Sequence, residues 1–190
     1  MGIELNSDQI FASYEAERWW HSSSSDQVFE ISGAAGTGKT TSIKYILQKL
    51  GLDPLNEVLF VAFTGKAATQ LARNGLPAIT CHSAFYEVKK EIERDEEGRI
   101  IYQPNGKPKV KSVFRKKEHI KKKYKAICID EGTMIDNRMK EDILSFGLPT
   151  FVLGDLNQLP PVFGKPAFLV EPNVILRKLM RQAENDPIVF

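Results

Sequence analysis

Gly33-Ala-Ala-Gly-Thr-Gly-Lys-Thr40 fits the pattern G-x-x-x-x-G-K-[ST], with the apolar run Val28-Phe-Glu-Ile31 before it and the helical stretch Thr41–Leu50 after it. A strand on one side and a helix on the other is the setting a phosphate-binding loop needs. Glycines at 33, 36 and 38 let the backbone curl so that successive N–H groups point inward, and the following helix adds its positive N-terminal end. Lys39 would reach the β and γ oxygens of a triphosphate, and the Thr40 hydroxyl would hold Mg²⁺. The competing reading, a glycine-rich strand-to-helix turn with no ligand, is disfavoured by the Gly-Lys-Thr register between strand and helix. A nucleoside triphosphate with Mg²⁺ is therefore the expected ligand, with Gly33, Ala34, Ala35, Gly36, Thr37, Gly38, Lys39, Thr40 and Thr41 forming the cradle.

Working outward, Glu57-Val-Leu-Phe-Val-Ala62 reads as a second strand, Lys66–Arg73 as a helix and Ala78-Ile-Thr-Cys81 as a short third strand. Ala126–Asp130 and Thr150–Gly154 are short apolar runs that each lead into an acidic residue, with a helical segment near Arg138–Phe146 between them. Upstream, Asn6 or Ser7 caps a helix whose Ala12, Ala16, Trp19 and Trp20 share a buried stripe, before Ser22–Ser25 interrupt it. Strand and helix alternate, which predicts an α/β fold: a parallel sheet covered by helices, with its site at the strand C-terminal ends.

The chain has 190 residues, 42% hydrophobic and 26% charged, the composition of a soluble globular protein with one buried core and room for a small appendage. No apolar stretch is long enough to cross a bilayer and no signal peptide is evident, so a cytoplasmic location and no membrane partner are expected. Cys81 and Cys128 read as buried free thiols rather than a disulfide. The net charge of +2 hides an asymmetry: between Tyr86 and Ala126 there are 14 Lys/Arg against 7 Asp/Glu, which leaves 12 basic and 17 acidic residues elsewhere. A solvated surface is the alternative account of such a run.

From Phe85 to Tyr124 the alternation fails. Arg99-Ile-Ile-Tyr-Gln-Pro104 and Lys107-Pro-Lys-Val-Lys-Ser112 are extended runs joined by Asn105-Gly106, a two-residue hairpin turn. Pairing outward from that turn sets Pro104 against Lys107, Tyr102 against Lys109 and Ile100 against Lys111. One face then interleaves an aromatic with three lysines, the composition of a nucleic-acid contact. Lysines that keep a free edge from aggregating are the alternative. The expected organisation is a discontinuous nucleotide-binding domain, 1–85 and 124–190, with 86–123 inserted as a basic hairpin subdomain.

Asp130-Glu131 follows an apolar strand 91 residues after Lys39. A phosphate-loop ATPase places one carboxylate there for the metal and a second to act on water, which makes Asp130 the Mg²⁺ ligand and Glu131 the general base. The alternative is an ordinary acidic pair at a strand end. Downstream, Gly154-Asp-Leu-Asn-Gln-Leu-Pro-Pro-Val162 puts the amide of Gln158 where it can sense the γ-phosphate or position water, with Pro160-Pro161 stiffening the loop; alone it could be only a turn.

In combination these stretches resemble the superfamily 1B DNA helicases, in particular the RecD, Dda and Pif-type enzymes. Leu5-Asn-Ser-Asp-Gln9 looks like the adenine-contacting Q motif, Gly33–Thr40 like motif I, Ala62-Phe-Thr-Gly-Lys-Ala-Ala68 like motif Ia and Thr80-Cys-His-Ser83 like motif Ib. Asp130-Glu131 corresponds to motif II and Gly154–Val162 to motif III, while Leu179-Met-Arg-Gln182 resembles the segment whose arginine reaches the γ-phosphate. The resemblance implies a RecA-like motor domain that couples ATP hydrolysis to movement along single-stranded DNA, 5′ to 3′, with the inserted hairpin as a strand-splitting pin. It assigns adenine to Gln9, transition-state charge to Arg181, and the single-strand track to Thr64, Lys66, Thr80, His82 and Ser83, joined by Tyr102, Lys107, Lys109 and Lys111 at fork DNA. Gln9 could instead complete a capping box with Asn6, His82 could be structural, and Arg181 a surface charge.

Two departures from the family pattern stand out. Gly132-Thr133-Met134 occupies a place where the family has a small residue, serine and methionine; threonine keeps the hydroxyl, and Gly132 is expected to add flexibility. With 36 residues after Gly154 a second RecA-like domain does not fit, so a fragment is expected, partnered by such a domain or by replication and recombination proteins. Two other classes stay open: a nucleotide-dependent single-strand-binding module without turnover, and a phosphate-loop ATPase acting on a protein partner.

Overall fold

The apolar runs Val58–Ala62, Ala126–Asp130 and Thr150–Gly154 lie side by side at the centre of a sheet with both faces covered. The computed structural model describes residues 5–22, 26–157 and 166–180. Its strands are β1 (Val28–Gly33), β2 (Val58–Ala62), β3 (Ala78–Thr80), β4 (Tyr86–Ile92), β5 (Val110–Lys116), β6 (Ala126–Asp130), β7 (Thr150–Gly154) and β8 (Val174–Leu176). Six form one parallel sheet ordered β3-β2-β6-β7-β1-β8, and β4 with β5 forms a separate antiparallel pair. Every residue of β2 and β7 is buried, as continuous apolar strands with both faces covered should be.

The alternation within β2 shows how the layers divide. Phe60 and Ala62 join a core with helices α1 (Ser7–His21), α2 (Lys39–Lys49) and α3 (Gly65–Arg73). Leu59 and Val61 join the opposite core, with α4 (Cys81–Phe85) and α5 (Asn137–Leu144). The helix starts follow local chemistry. Asn6 accepts from the N–H groups of Asp8 and Gln9 while Gln9 reaches back to Asn6, a complete capping box; Thr64, Thr80 and Asp136 cap α3, α4 and α5. Trp19 and Trp20 pack on Phe151, and Trp19 on Phe29. Cys81 and Cys128 are buried free thiols. Among the described residues no helix is long and apolar enough to cross a membrane.

The arm departs from the expected hairpin. β4 and β5 pair from Tyr86↔Lys116 to Ile92↔Val110, and beyond Ile92 a third extended piece enters between them. Glu93 N–H donates to Lys109 O (2.8 Å), Ile101 N–H to Glu93 O (3.0 Å) and Lys109 N–H to Ile101 O (2.8 Å). Two small loops cap the tip, one closed by Gly98 N–H to Asp95 O, the other by Gly106 N–H to Gln103 O. Tyr102 pairs with Pro108, not Lys109, so the anticipated Pro104–Lys107, Tyr102–Lys109 and Ile100–Lys111 pairs do not form as an Asn-Gly hairpin. The cause is turn chemistry. A two-residue type I′ turn needs positive φ at both central residues; Gly106 has φ 76° but Asn105 is not among the positive-φ residues. Pro104 instead suits the second position of a type I turn, and Gly106 closes a three-residue loop. The one-residue slip moves Tyr102 to the face opposite Lys107 and Lys109.

Candidate nucleotide and nucleic-acid site

The loop after β1 is built around positions that refuse a side chain. A Cβ on Gly33 would lie 2.5 Å from Thr37 Oγ1, and one on Gly38 would lie 2.3 Å from Gln9 Nε2 and 2.4 Å from Met180 Sδ. Gly36 and Gly38 both have φ 81°. Thr37 closes the turn by donating its hydroxyl to Ala34 O (2.9 Å). Lys39 Nζ donates to the carbonyls of Gly33 (2.5 Å) and Ala34 (3.2 Å), so its ammonium is already folded over the loop. A cavity of about 380 Å³ opens there, lined by Ala34, Gly36, Gly38, Lys39, Thr40, Thr41 and Met180. A tight glycine turn, a helix start and an ammonium around one cavity suit a triphosphate, and Thr40 with Asp130 supplies the hard oxygens Mg²⁺ prefers.

Acidic groups surround Lys39. Burial depresses the ammonium's pKa, and the charges of Asp130 and Asp155 oppose that shift. Burial pushes the Asp130 carboxyl up; the N–H of Glu131 on its Oδ1 (3.0 Å) lowers it, the Glu131 charge raises it, and Lys39 lowers it. Asp155 lies just past β7, 8% exposed, accepting the N–H of Asn157. Ser32 Oγ accepts the N–H of Leu156, joining this loop to the end of β1. Sequence reasoning sees Asp155 as a strand-end acid but gives it no role beside Lys39. Its proximity to Lys39 depends on β7 lying beside β1, a long-range pairing that no local pattern announces.

Glu131 sits in the left-handed region, φ 56°, where non-glycine residues are uncommon outside strained sites. Its Oε2 accepts the hydroxyl of Thr64 (3.2 Å), the residue that caps α3. The next position corrects an expectation: Gly132 is there for clearance rather than flexibility, since a Cβ would come within 2.2 Å of Val152 Cγ1. Thr133 Oγ1 is buried without a hydrogen-bond partner among the described residues. Gln158, Arg181 and Pro160-Pro161 lie outside the described residues.

Gln9 is 1% exposed and spans two structures. Its Oε1 accepts Asn6 N–H (2.9 Å), and its Nε2 faces the carbonyls of Thr37 (3.4 Å) and Gly38 (3.5 Å). Both the capping box and a place beside the phosphate loop are therefore present. Asp8, also unassigned from the sequence, accepts the N–H groups of Arg177 (2.8 Å) and Lys178 (3.0 Å), which hold its carboxyl below the usual range. Met180 N–H then donates to Gly36 O (2.9 Å), so the segment after β8 is tied to α1 and to the loop.

Thr64 and exposed Lys66 at the start of α3, Thr80 as the last residue of β3, and His82 and Ser83 just after it lie at or beyond the C-terminal ends of their strands, the end of the sheet that also carries Asp130. Thr80 accepts Ser83 N–H and donates to Ser83 Oγ. The His82 ring lies 5.7 Å from Tyr86 and 5.6 Å from exposed Phe114 at the root of the arm. Tyr102, Lys107, Lys109 and Lys111 are exposed on the arm, away from the other residues, and Lys109 pairs with Glu93 (3.1 Å). Among the described residues no three or more His, Cys, Asp or Glu are grouped to hold a metal by themselves, so a metal here would depend on Thr40 and phosphate oxygens as well.

The AAA domain family matches residues 17–164. An uncharacterized protein of Methanocaldococcus jannaschii is 30% identical over 151 residues, covering 73% of this chain and 12% of that protein. The crystal structure of the Pif1 helicase from Candida albicans superposes with a TM-score of 0.57 at 19% identity, covering 95% of this chain and 41% of that one. The chain thus spans less than half the length of either.

Proposed function

The chain belongs to the AAA domain family and has the fold of a superfamily 1B helicase-like motor domain, and from that premise we propose that it binds MgATP and hydrolyses it in step with movement along single-stranded DNA, 5′ to 3′. The observation that carries this reading is the hydrogen bond from Thr64 to Glu131, because it joins the two halves of such a cycle. Glu131 is the carboxylate placed to take a proton from attacking water, and Thr64 starts the helix that presents Lys66 to a DNA phosphate. Lys39 turns from the loop carbonyls to the β and γ oxygens, and Gly33–Thr41 wraps the phosphates with N–H groups. Thr40 and Asp130 would hold Mg²⁺, whose charge neutralises the transferring phosphoryl group. Gln158 positions water and Arg181 balances developing charge; Gln9 orders the loop from the adenine side.

DNA engaging Thr64 and Lys66, together with Thr80, His82 and Ser83, releases the Glu131 carboxylate to face water. The arm, with Tyr102, Lys107, Lys109 and Lys111, meets the fork. The thiols of Cys81, pushed up to about 12 by burial, and Cys128 suit a reducing cytoplasm. The test is ATP hydrolysis with and without single-stranded DNA: stimulation supports a motor, DNA binding without hydrolysis supports a binding module, and DNA-independent hydrolysis supports an ATPase with a protein client.

A further inference from the structure

The basic excess between Tyr86 and Ala126 is concentrated at the foot of the arm. Residues 86–115 hold 8 Lys/Arg and 6 Asp/Glu, whereas residues 116–125 hold 6 and 1. In the arm, four of the eight basic residues are in ion pairs that take up five of the six acids: Lys89 with Glu87, Lys109 with Glu93, Arg115 with Glu91, and Arg99 with Asp95 and Glu97. The return strap is different. Lys116 bonds Ser145 Oγ, Lys117 bonds the carbonyls of Ser83 and Ala84, and Lys125 pairs with Glu57. Lys121 and Lys122 have no such partner among the described residues, and Lys123 lies over the Tyr124 ring, 5.2 Å from its centroid. The nearby acids are Glu118 on the strap and Asp53, within electrostatic reach of Lys123.

The strap's path is set by packing. Lys117 N–H donates to Phe85 O at the root of the arm, and Lys125 N–H to Glu57 O at the start of β2. Between them Ile120 and Tyr124 pack on the core, and a turn closed by Tyr124 N–H to Lys121 O holds the three lysines outward. A cavity of about 470 Å³ lies against it, lined by His119, Ile120, Lys121, Tyr124, Phe146 and Leu148 among others. The Phe146 ring is backed by Phe85 at 5.7 Å, with the Lys116 ammonium 5.7 Å from its centroid.

We propose that this strap is a second single-strand nucleic-acid contact, separate from the track at the strand C-terminal ends. The lysines take the phosphates of the strand leaving the root of the arm, and the aromatic cavity takes one of its bases. Adjacent cations beside ring-lined space match a nucleic acid, in which every phosphate is accompanied by a flat ring, better than an acidic peptide, whose charges are not regularly accompanied by rings. The strap's foot lies at the opposite end of β2 and β6 from Ala62 and Asp130, roughly 17 Å away at about 3.3 Å per residue. One strand on the track therefore leaves the strap free for the other.

The inference rests on the motor reading, and the experiment separates the two. Lys121, Lys122 and Lys123 are changed together to alanine, and in a second variant to arginine. Binding to a fork with two single-stranded arms and to one single-stranded oligonucleotide is followed by fluorescence anisotropy over a salt series. The alanine variant is expected to lose on the order of tenfold in fork affinity at low salt and about 2 in salt slope, at ~0.7 per neutralised phosphate. Its single-strand affinity should be unchanged, arginine should restore the fork, and the MgATP-induced rise in Tm should persist in both variants. An equal loss on both DNAs, no loss on the fork, or lysine-dependent binding of polyglutamate as tight as the fork would each overturn the strap while leaving the motor reading standing. A parent chain that binds neither DNA would overturn both.

Discussion

The nucleotide corner and the inserted arm are held by different means. Around Gly33 and Gly132 a single methyl would run into a packed neighbour, and Gly38 holds a φ of 81° that L side chains rarely adopt. On the arm, Gly98 and Gly106 meet nothing within 4 Å where a Cβ would stand, Val88 and Phe114 are 60% and 62% exposed, and exposed ion pairs supply much of the side-chain contact. Exposed pairs of this kind contribute little, because solvent screens them and ordering two long side chains costs entropy. Close packing holds the corner's backbone in one geometry; a solvated arm can change composition without disturbing the sheet. Substitutions should therefore act nearly all-or-none in the corner and by degrees on the arm.

The largest effect belongs to the corner. Lys39→Ala removes the ammonium that the loop itself positions, and MgATP affinity should fall at least about tenfold by calorimetry while the fold persists. Unchanged affinity would remove the site from Lys39. Next comes Gly132→Ala, whose methyl would meet Val152 Cγ1; it should cost roughly 1–3 kcal/mol in urea unfolding. Val152→Ala, destabilising by itself, should reduce that cost when combined with it. If the two penalties simply add, the clearance argument for Gly132 is wrong.

On the arm, Tyr102→Ala should weaken DNA binding by about 1–3 kcal/mol if the ring stacks on a base, with little change in salt dependence. Replacing Lys107, Lys109 and Lys111 by alanine should instead flatten the salt slope, by roughly 0.7 for each DNA phosphate that is no longer neutralised. The structure sharpens this: Lys109 already serves Glu93, so Lys107 and Lys111 should carry most of the change. Because Tyr102 and Lys107 face opposite ways, the two sets of substitutions should be additive, and strong coupling between them would restore the single-face arrangement.

The smallest effect concerns Asp8. Hydrogen bonds from Arg177 and Lys178 depress its folded-state pKa below the ordinary aspartate value of 3.8, so its contribution to stability is present above the unfolded pKa and is lost as pH falls through the folded one. Parent and Asp8→Asn stabilities should therefore converge as the pH is lowered below about 3.8. A difference that stays constant to lower pH would detach Asp8 from the segment carrying Met180.

The same contrast explains which features are legible in the sequence. Gly33–Thr40 and Asp130-Glu131 announce themselves because their chemistry lies in consecutive residues flanked by apolar runs, and the parallel sheet follows from the alternation of those runs. The role of Asp155 and the whole of Asp8 escape such a reading because what they act on is distant in sequence: the charge of Asp155 acts on Lys39 across β1 and β7, and Asp8 holds residues 177 and 178. β8, three residues long, and α4, five residues long, are too short for periodicity to reveal. The arm's register differs from expectation for a local reason, since Pro104 selects a type I turn where Asn105-Gly106 suggests a tighter one. The arm's charges can be counted from the sequence but not placed, because ion pairing along β4 and β5 is visible only once the strands are in register.

Under the proposed function, nucleic acid acts on the phosphate-loop corner through the hydrogen bond between Thr64 and Glu131. Steady-state ATP hydrolysis by the parent chain, Thr64→Ala and Glu131→Gln, each with and without single-stranded DNA, tests this most directly. The expected result is that DNA accelerates the parent, that Thr64→Ala hydrolyses faster without DNA and gains less from it, and that Glu131→Gln binds MgATP but does not turn it over. Hydrolysis by the parent that is indifferent to DNA, or a Thr64→Ala variant identical to the parent under both conditions, would contradict it.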